Sequence, residues 1–237
     1  MSAKKQEPKI LNTTDFQPDG FKWTRLKKID WEDETGRKRV WEAAERSTRG
    51  KAGVDAVAIV ALLDHPSKPL STVILEQYRP PIGNTCIELP AGLVDGGESP
   101  EDAALRELIE ETGYGGDGEG AGKATVEEVS PLLVSDPGCV TLKDSSNAEL
   151  TFTLRSVVSF SLTNANMVLC TVRVKLSESD PEPKQKLDEG EHIIKRVVEV
   201  QELYNVLLDY NKKGFTIDAR LAHWAMGYHM ATRFDKK

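Results

Sequence analysis

At 237 residues and 26.2 kDa, the chain can bury one substantial core, or a core domain plus a small accessory unit. Its formal net charge of −7 repels a polyanionic backbone, which argues against general nucleic-acid binding but leaves room for a small phosphorylated ligand held through a metal ion. Three cysteines, Cys86, Cys139 and Cys170, show neither CxxC spacing nor a disulfide framework, and no window approaches the about 18 apolar residues of a membrane span, so a reducing cytoplasm or nucleus is expected and no membrane partner.

Residues 1–20 are polar and read as a flexible lead-in. Residues 21–52 form an N-terminal β unit, in which "WTRLKKIDWEDETGRKRVWEAAERSTR" predicts two strands joined around Thr35 and Gly36. The main domain then runs over 53–237. It opens with two largely apolar, β-branched runs, "VDAVAIVALL" (54–63) and "STVILEQYRPP" (71–81), as buried strands require. A helix follows with a well-written start: Ser99 as N-cap, Pro100 at the first helical position, and Glu101 and Asp102 against the positive end of the dipole. Gly113 closes it as a left-handed cap. The glycine-rich run 114–123 predicts a loop, and "ATVEEVSPLLVS" resumes strand character. Residues 178–191 are charged and Pro-containing and predict a mobile segment, "HIIKRVVEV" a further strand, and "VQELYNVLLDYN" and "IDARLAHWAMGYHMATRF" two closing helices. Strands and helices mix without strict βαβ alternation, so the expected class is α/β with a mixed sheet, or α+β.

The helix carries the unusual chemistry. Steps of three and four residues place Glu107, Glu110 and Glu111 on one face, where like charges destabilise a helix. A solvated acidic face is the simplest explanation. Against it, Ala104, Leu105, Leu108 and Ile109 take up much of the circumference, which describes a packed helix with a narrow polar stripe. The preceding loop "AGLVDGGE" adds Glu98 and several glycines. Clustered hard oxygen donors of this kind suit magnesium or manganese, which would also remove the mutual repulsion.

Spaced as Gly92, five residues, Glu98, seven residues, Arg106-Glu107-Leu108, one residue, Glu110-Glu111, one residue, Gly113-Tyr114, the segment 92–114 resembles a complete Nudix box, matching at every fixed position. The resemblance implies an α/β/α sandwich that hydrolyses a nucleoside diphosphate linked to another moiety. It implies that Glu107, Glu110 and Glu111 hold Mg2+, with Mn2+ as an alternative, that the Ala91 carbonyl contributes, that Glu98 supports the metal and loop, and that Arg106 orients the glutamates.

The flanks narrow the substrate. "EQYRPPIGNTCIELPAGLVDGGE" is similar to the ADP-ribose pyrophosphatase branch of the family, which implies that Arg79 binds diphosphate or ribose and that Glu88 lies at the metal or substrate site. The N-terminal unit resembles the same branch. That likeness implies adenine stacking on Trp23 and Trp41, a ligand contact from Arg46, and a homodimer across which the β unit is exchanged; Trp31 has no matching role. The acidic loop "LDEGEHI" resembles the family's source of a general base, with Glu191 the choice and Glu189 and Asp188 as rivals. The expected reaction is hydrolysis of ADP-ribose to AMP and ribose 5-phosphate. Another nucleotide sugar, an oxidised nucleotide, or binding without cleavage are the alternatives.

One stretch departs from the family pattern. Relatives run from a "DPG" turn almost directly into a "TNANM" segment, whereas here residues 139–161 intervene. Their length keeps the reading frame, as a small retained intron would, and a retained intron is the favoured explanation. The strand character of "ELTFTLRSVVSFSL" supports the rival, a genuine hairpin insertion.

Overall fold

The computed structural model describes residues 7–17, 19–22, 24–46, 53–116, 121–134, 166–179 and 181–234. Trp23, the side chain of Arg46 and the whole of 139–161 therefore lie outside the described residues, as do the expectations placed on them. The chain divides into two compact units, one containing residues 1–53 and the other built from 54–133 and 167–237.

In the first unit, β1 (Lys9–Phe16), β2 (Thr24–Glu32) and β3 (Lys38–Arg46) form an antiparallel sheet in that order. The hairpin between β2 and β3 is set by Asp33. Its carboxylate accepts from the Thr35 N–H and hydroxyl at 2.8 and 2.6 Å, from the Arg37 N–H at 3.0 Å and from the Arg39 Nε at 2.9 Å. These donors hold the carboxyl far below its ordinary range, with the Thr35 hydroxyl the largest cause. Gly36 supplies the positive φ the turn needs. The lead-in expectation is corrected over Lys9–Phe16. That stretch is a strand, exposed along its whole length, held by backbone pairing to β2 and by ion pairs such as Lys9 to Glu32 at 3.3 Å, neither of which requires an apolar pattern.

The second unit is built on a nine-stranded mixed sheet containing β4 (Ala56–Asp64), β5 (Ser71–Arg79), β6 (Asn84–Glu88), β7 (Ala91–Leu93), β8 (Lys123–Val129), β9 (Leu133–Val134), β10 (Asn166–Lys175), β11 (Ile193–Glu199) and β12 (Thr216–Ile217). The apolar runs of β4 and β5 are continuous because both faces are covered. Val57, Ile59, Ala61, Leu63, Val73 and Leu75 pack with Ala103, Ala104 and Leu108 of α1 (Pro100–Thr112). On the opposite face, Val60, Ile74 and Ile87 pack with Leu203 and Leu207 of α2 (Leu203–Lys212) and with Leu221 and Ala225 of α3 (Ala219–Phe234). This two-sided arrangement is the expected α/β/α sandwich.

The sheet splits where the site forms. β5 pairs with β11 along Ser71–Gln77, but meets β4 only at Ser71 and Thr72; from Leu75 to Arg79 its partner is β6. The freed end of β4 pairs with β7 over Ala56–Ala58 and, on its other edge, runs parallel to β10. Leu89 and Pro90 carry the chain across the split, with the Ile59 N–H donating to the Pro90 carbonyl at 2.8 Å. Glu88 and Ala91 therefore stand at the two lips of that gap.

Candidate active site

α1 begins and ends as its sequence dictates. The Ser99 hydroxyl accepts from the Asp102 N–H, Pro100 opens the helix, and Gly113, at φ 81°, donates to the Ile109 carbonyl. With both ends pinned, the helix holds its acidic face toward β7 and the crossing at Leu89 and Pro90.

Arg106 organises the carboxylates. Its guanidinium donates to both oxygens of Glu98 at 3.0 Å each, to Glu107 Oε1 at 2.7 Å, to Glu110 Oε2 at 3.2 Å and to the Leu93 carbonyl at 2.8 Å. The Glu98 carboxyl is held below its usual value chiefly by this contact. Glu107 behaves oppositely, because burial outweighs Arg106 and raises its pKa. Its carboxylate lies against the backbone of Gly92, where a Cβ would stand 1.9 Å from Glu107 Cδ and Oε1. Only glycine leaves that space.

Glu111 is 6% exposed, and its Oε2 accepts from the Ala91 N–H at 2.9 Å. Burial, with the neighbouring charges of Glu107, Glu191 and Glu88, pushes its pKa up to about 8. Glu88 is equally buried, at 4%, and takes two hydrogen bonds from Arg79, at 2.8 and 3.0 Å. Glu191, on an exposed turn, accepts from the Asp188 N–H at 3.2 Å and acts electrostatically on both Glu107 and Glu111.

The structure thus brings together Glu88, Ala91, Glu98, Arg106, Glu107, Glu110, Glu111 and Glu191, with Arg79 joined to them through Glu88. The contact it shows at Ala91 is made by the N–H. Trp41 belongs to the other unit, where it packs edge-on against Trp31 with ring centroids 6.5 Å apart; Ile10, Ile29 and Pro8 join them around a cavity of about 340 Å³.

Two features escaped sequence reasoning. The first is the pairing of Arg79 with Glu88, which strand register alone does not give: in the β5–β6 ladder Arg79 stands opposite Asn84 and Glu88 opposite Leu75, so the two meet through the length of the arginine side chain. The second is the segment Pro183–Leu187, expected to be mobile but lying along the end of α1. The Lys186 N–H donates to the Glu110 carbonyl at 2.8 Å, and Gln185 Nε2 to the Glu111 carbonyl at 2.7 Å. Contacts from a side chain to a bare carbonyl leave no spacing to read.

The donor set suits a hard divalent cation: all oxygen, several carboxylates to one arginine, and one carboxylate, Glu111, pushed toward protonation by burial first and its acidic neighbours second. No three acidic, His or Cys side chains among the described residues already converge as a finished cage. Arg106 holds Glu107 and Glu110, and the Ala91 N–H holds Glu111.

Fold, carboxylate helix and glycine cradle together define a Nudix domain, and the chain belongs to the Nudix family: the NUDIX domain profile matches residues 53–220. Hydrolysis in this family generally depends on divalent metal ions. An uncharacterized Nudix hydrolase of Schizosaccharomyces pombe is 40% identical over 233 residues, 98% of either chain. The ADP-ribose pyrophosphatase of Saccharomyces cerevisiae is 32% identical over 240 residues, 100% of this chain and 90% of its own. The crystal structure of an ADP compounds hydrolase shares the fold, with a TM-score of 0.59 at 20% identity over 99% of this chain and 98% of that one.

Proposed function

We propose that the chain is a divalent-cation-dependent pyrophosphatase that hydrolyses ADP-ribose to AMP and ribose 5-phosphate. The observation that carries this reading is the set of mutually repelling carboxylates on α1, Glu111 buried and Glu107 and Glu110 half-buried, facing the split in the sheet and flanked by Arg79. The similarity over the whole chain to a yeast ADP-ribose pyrophosphatase supports the substrate.

Glu107, Glu110 and Glu111, with the Ala91 carbonyl, would hold the ions, Mg2+ in preference to Mn2+. An ion held by these groups would supply charge neutralisation at the diphosphate and a more acidic bound water. The remaining work falls to the chain. Arg106 keeps the glutamates apart and tied to the Glu98 loop, so that they are oriented before any ligand arrives. Arg79, fixed by Glu88, presents the rest of its guanidinium to the diphosphate or ribose. Glu191 accepts the proton of the attacking water, with Glu189 and Asp188 on the same turn as its rivals. In the N-terminal unit, Trp23 and Trp41 would stack on adenine, and Arg46 would contact the ligand. We further propose a homodimer in the cytoplasm or nucleus; no described helix is long and apolar enough to cross a membrane.

The test is chromatographic detection of AMP after incubation with ADP-ribose and Mg2+, beside Glu107→Gln to exclude a contaminating hydrolase. AMP from the parent alone supports the reading. No AMP, or faster cleavage of other nucleotide sugars or oxidised nucleotides, overturns it.

A further inference from the structure

The last carbonyls of a helix lack partners within it and must find them elsewhere. In α1 all four are taken. The Gly113 N–H satisfies Ile109, the Lys186 N–H satisfies Glu110 at 2.8 Å, Gln185 Nε2 satisfies Glu111 at 2.7 Å, and Lys195 Nζ satisfies Thr112 at 2.9 Å. Gly113 permits the approach, since a Cβ there would stand 2.4 Å from the Lys184 carbonyl.

Gln185 does more than cap. A side-chain amide carries two N–H bonds, and the second is donated to the Ile193 carbonyl at 3.1 Å. One nitrogen therefore joins three points: the segment before the acidic turn, the strand after it, and the helix residue Glu111. Between Gln185 and Ile193 lie Asp188, Glu189 and Glu191. The turn is closed within itself by the Glu191 N–H on the Asp188 carbonyl at 3.1 Å and by the Asp188 N–H on the Glu191 carboxylate. Its base is clamped by Gln185, while Leu187 is packed against the core.

We infer that Gln185 is a positioning residue for the reaction: its amide fixes the acidic turn relative to the carboxylate face of α1, and so fixes Glu191 relative to Glu107 and Glu111. The inference rests on the reading of this turn as the source of the base. A purely capping role would affect helix stability alone. A positioning role affects the rate once substrate is bound, because a displaced acceptor leaves binding intact but spoils the geometry of proton transfer.

The experiment compares Gln185→Met, similar in size but without donors, with Ser99→Ala, which strips a cap from the other end of the same helix without touching the turn. Lys195 is unsuitable as the control because it also holds Pro183 and Glu182. Steady-state hydrolysis of ADP-ribose is read alongside amide exchange by mass spectrometry on the whole protein. For Gln185→Met, kcat is expected to fall at least about tenfold with KM little changed, and exchange to accelerate over residues 187–192. Ser99→Ala is expected to lower thermal stability while keeping the parental kcat. Parental kcat in Gln185→Met, unchanged exchange in the turn, or an equal kcat loss in Ser99→Ala overturns the inference. If the parent itself yields no AMP, the proposed function fails, and the exchange data still decide whether Gln185 holds the turn.

Discussion

A Cβ on Gly92 would occupy the volume now filled by the Glu107 carboxylate, so the smallest change at that position displaces a charged group by more than an ångström. Gly92→Ala is accordingly expected to cost roughly 100-fold in kcat, the scale of loss that misplacement of this size brings, while the melting temperature moves little. Kinetics and a thermal melt on the same preparation check both halves. The cysteines tell a different story. Cys86 and Cys170 are buried, and burial above all raises their thiols to about 12 and about 11, Glu88 and Asp218 adding to the rise at Cys86 and Glu101 at Cys170. In a Cys139→Ser background neither should react with a thiol reagent at neutral pH until the protein unfolds. An unfolded thiol ionises near 9 and the folded ones later, so their contribution is intact below pH 9 and is lost as pH rises toward 12. Cys86→Ala should lessen that alkaline loss, as read by melts between pH 8 and 11.

At the scale of elements, α1 was legible because its signals are local. Ser99, Pro100 and Gly113 are fixed by the geometry of one helix end each, whatever packs around them. Ser99→Ala should cost about 1 kcal/mol, lowering the melting temperature by roughly 2–4 °C, which calorimetry would show. β1 was not legible, since KILNTTDF buries nothing and owes its conformation to the backbone of β2. The segment Pro183–Leu187 was misread for a related reason. Its charge suggested solvation, yet only Lys184 and Lys186 face outward, while Pro183 is buried and Gln185 and Leu187 turn inward. Alternation in so short a stretch, broken by prolines, carries little signal.

For the molecule as a whole, the reaction class was legible because the box compresses helix, cradle and carboxylates into residues 92–114, whereas what surrounds it is assembled from distant chain. Arg79 meets Glu88 from the far end of the β5–β6 ladder, and Glu191 acts on Glu107 and Glu111 from an exposed turn far along the chain. If the ions are held as proposed, a chelator should abolish AMP production and excess Mg2+ should restore it without refolding, because the core packs on both faces of the sheet independently of any ion. The proposed homodimer predicts a light-scattering mass about twice the 26.2 kDa of the chain.

The far end of α1 is completed by residues that lie more than seventy positions downstream: Gln185 and Lys195 reach back across sequence separations of 74 and 83. During synthesis, therefore, the helix leaves the ribosome with only Ile109 partnered among its last four carbonyls, by the Gly113 N–H, and the set is complete only when Lys195 of β11 has emerged. A nascent chain truncated before Gln185 carries every residue of the box yet lacks the donors that complete its helix end, so catalytic competence waits on chain made well after the box itself.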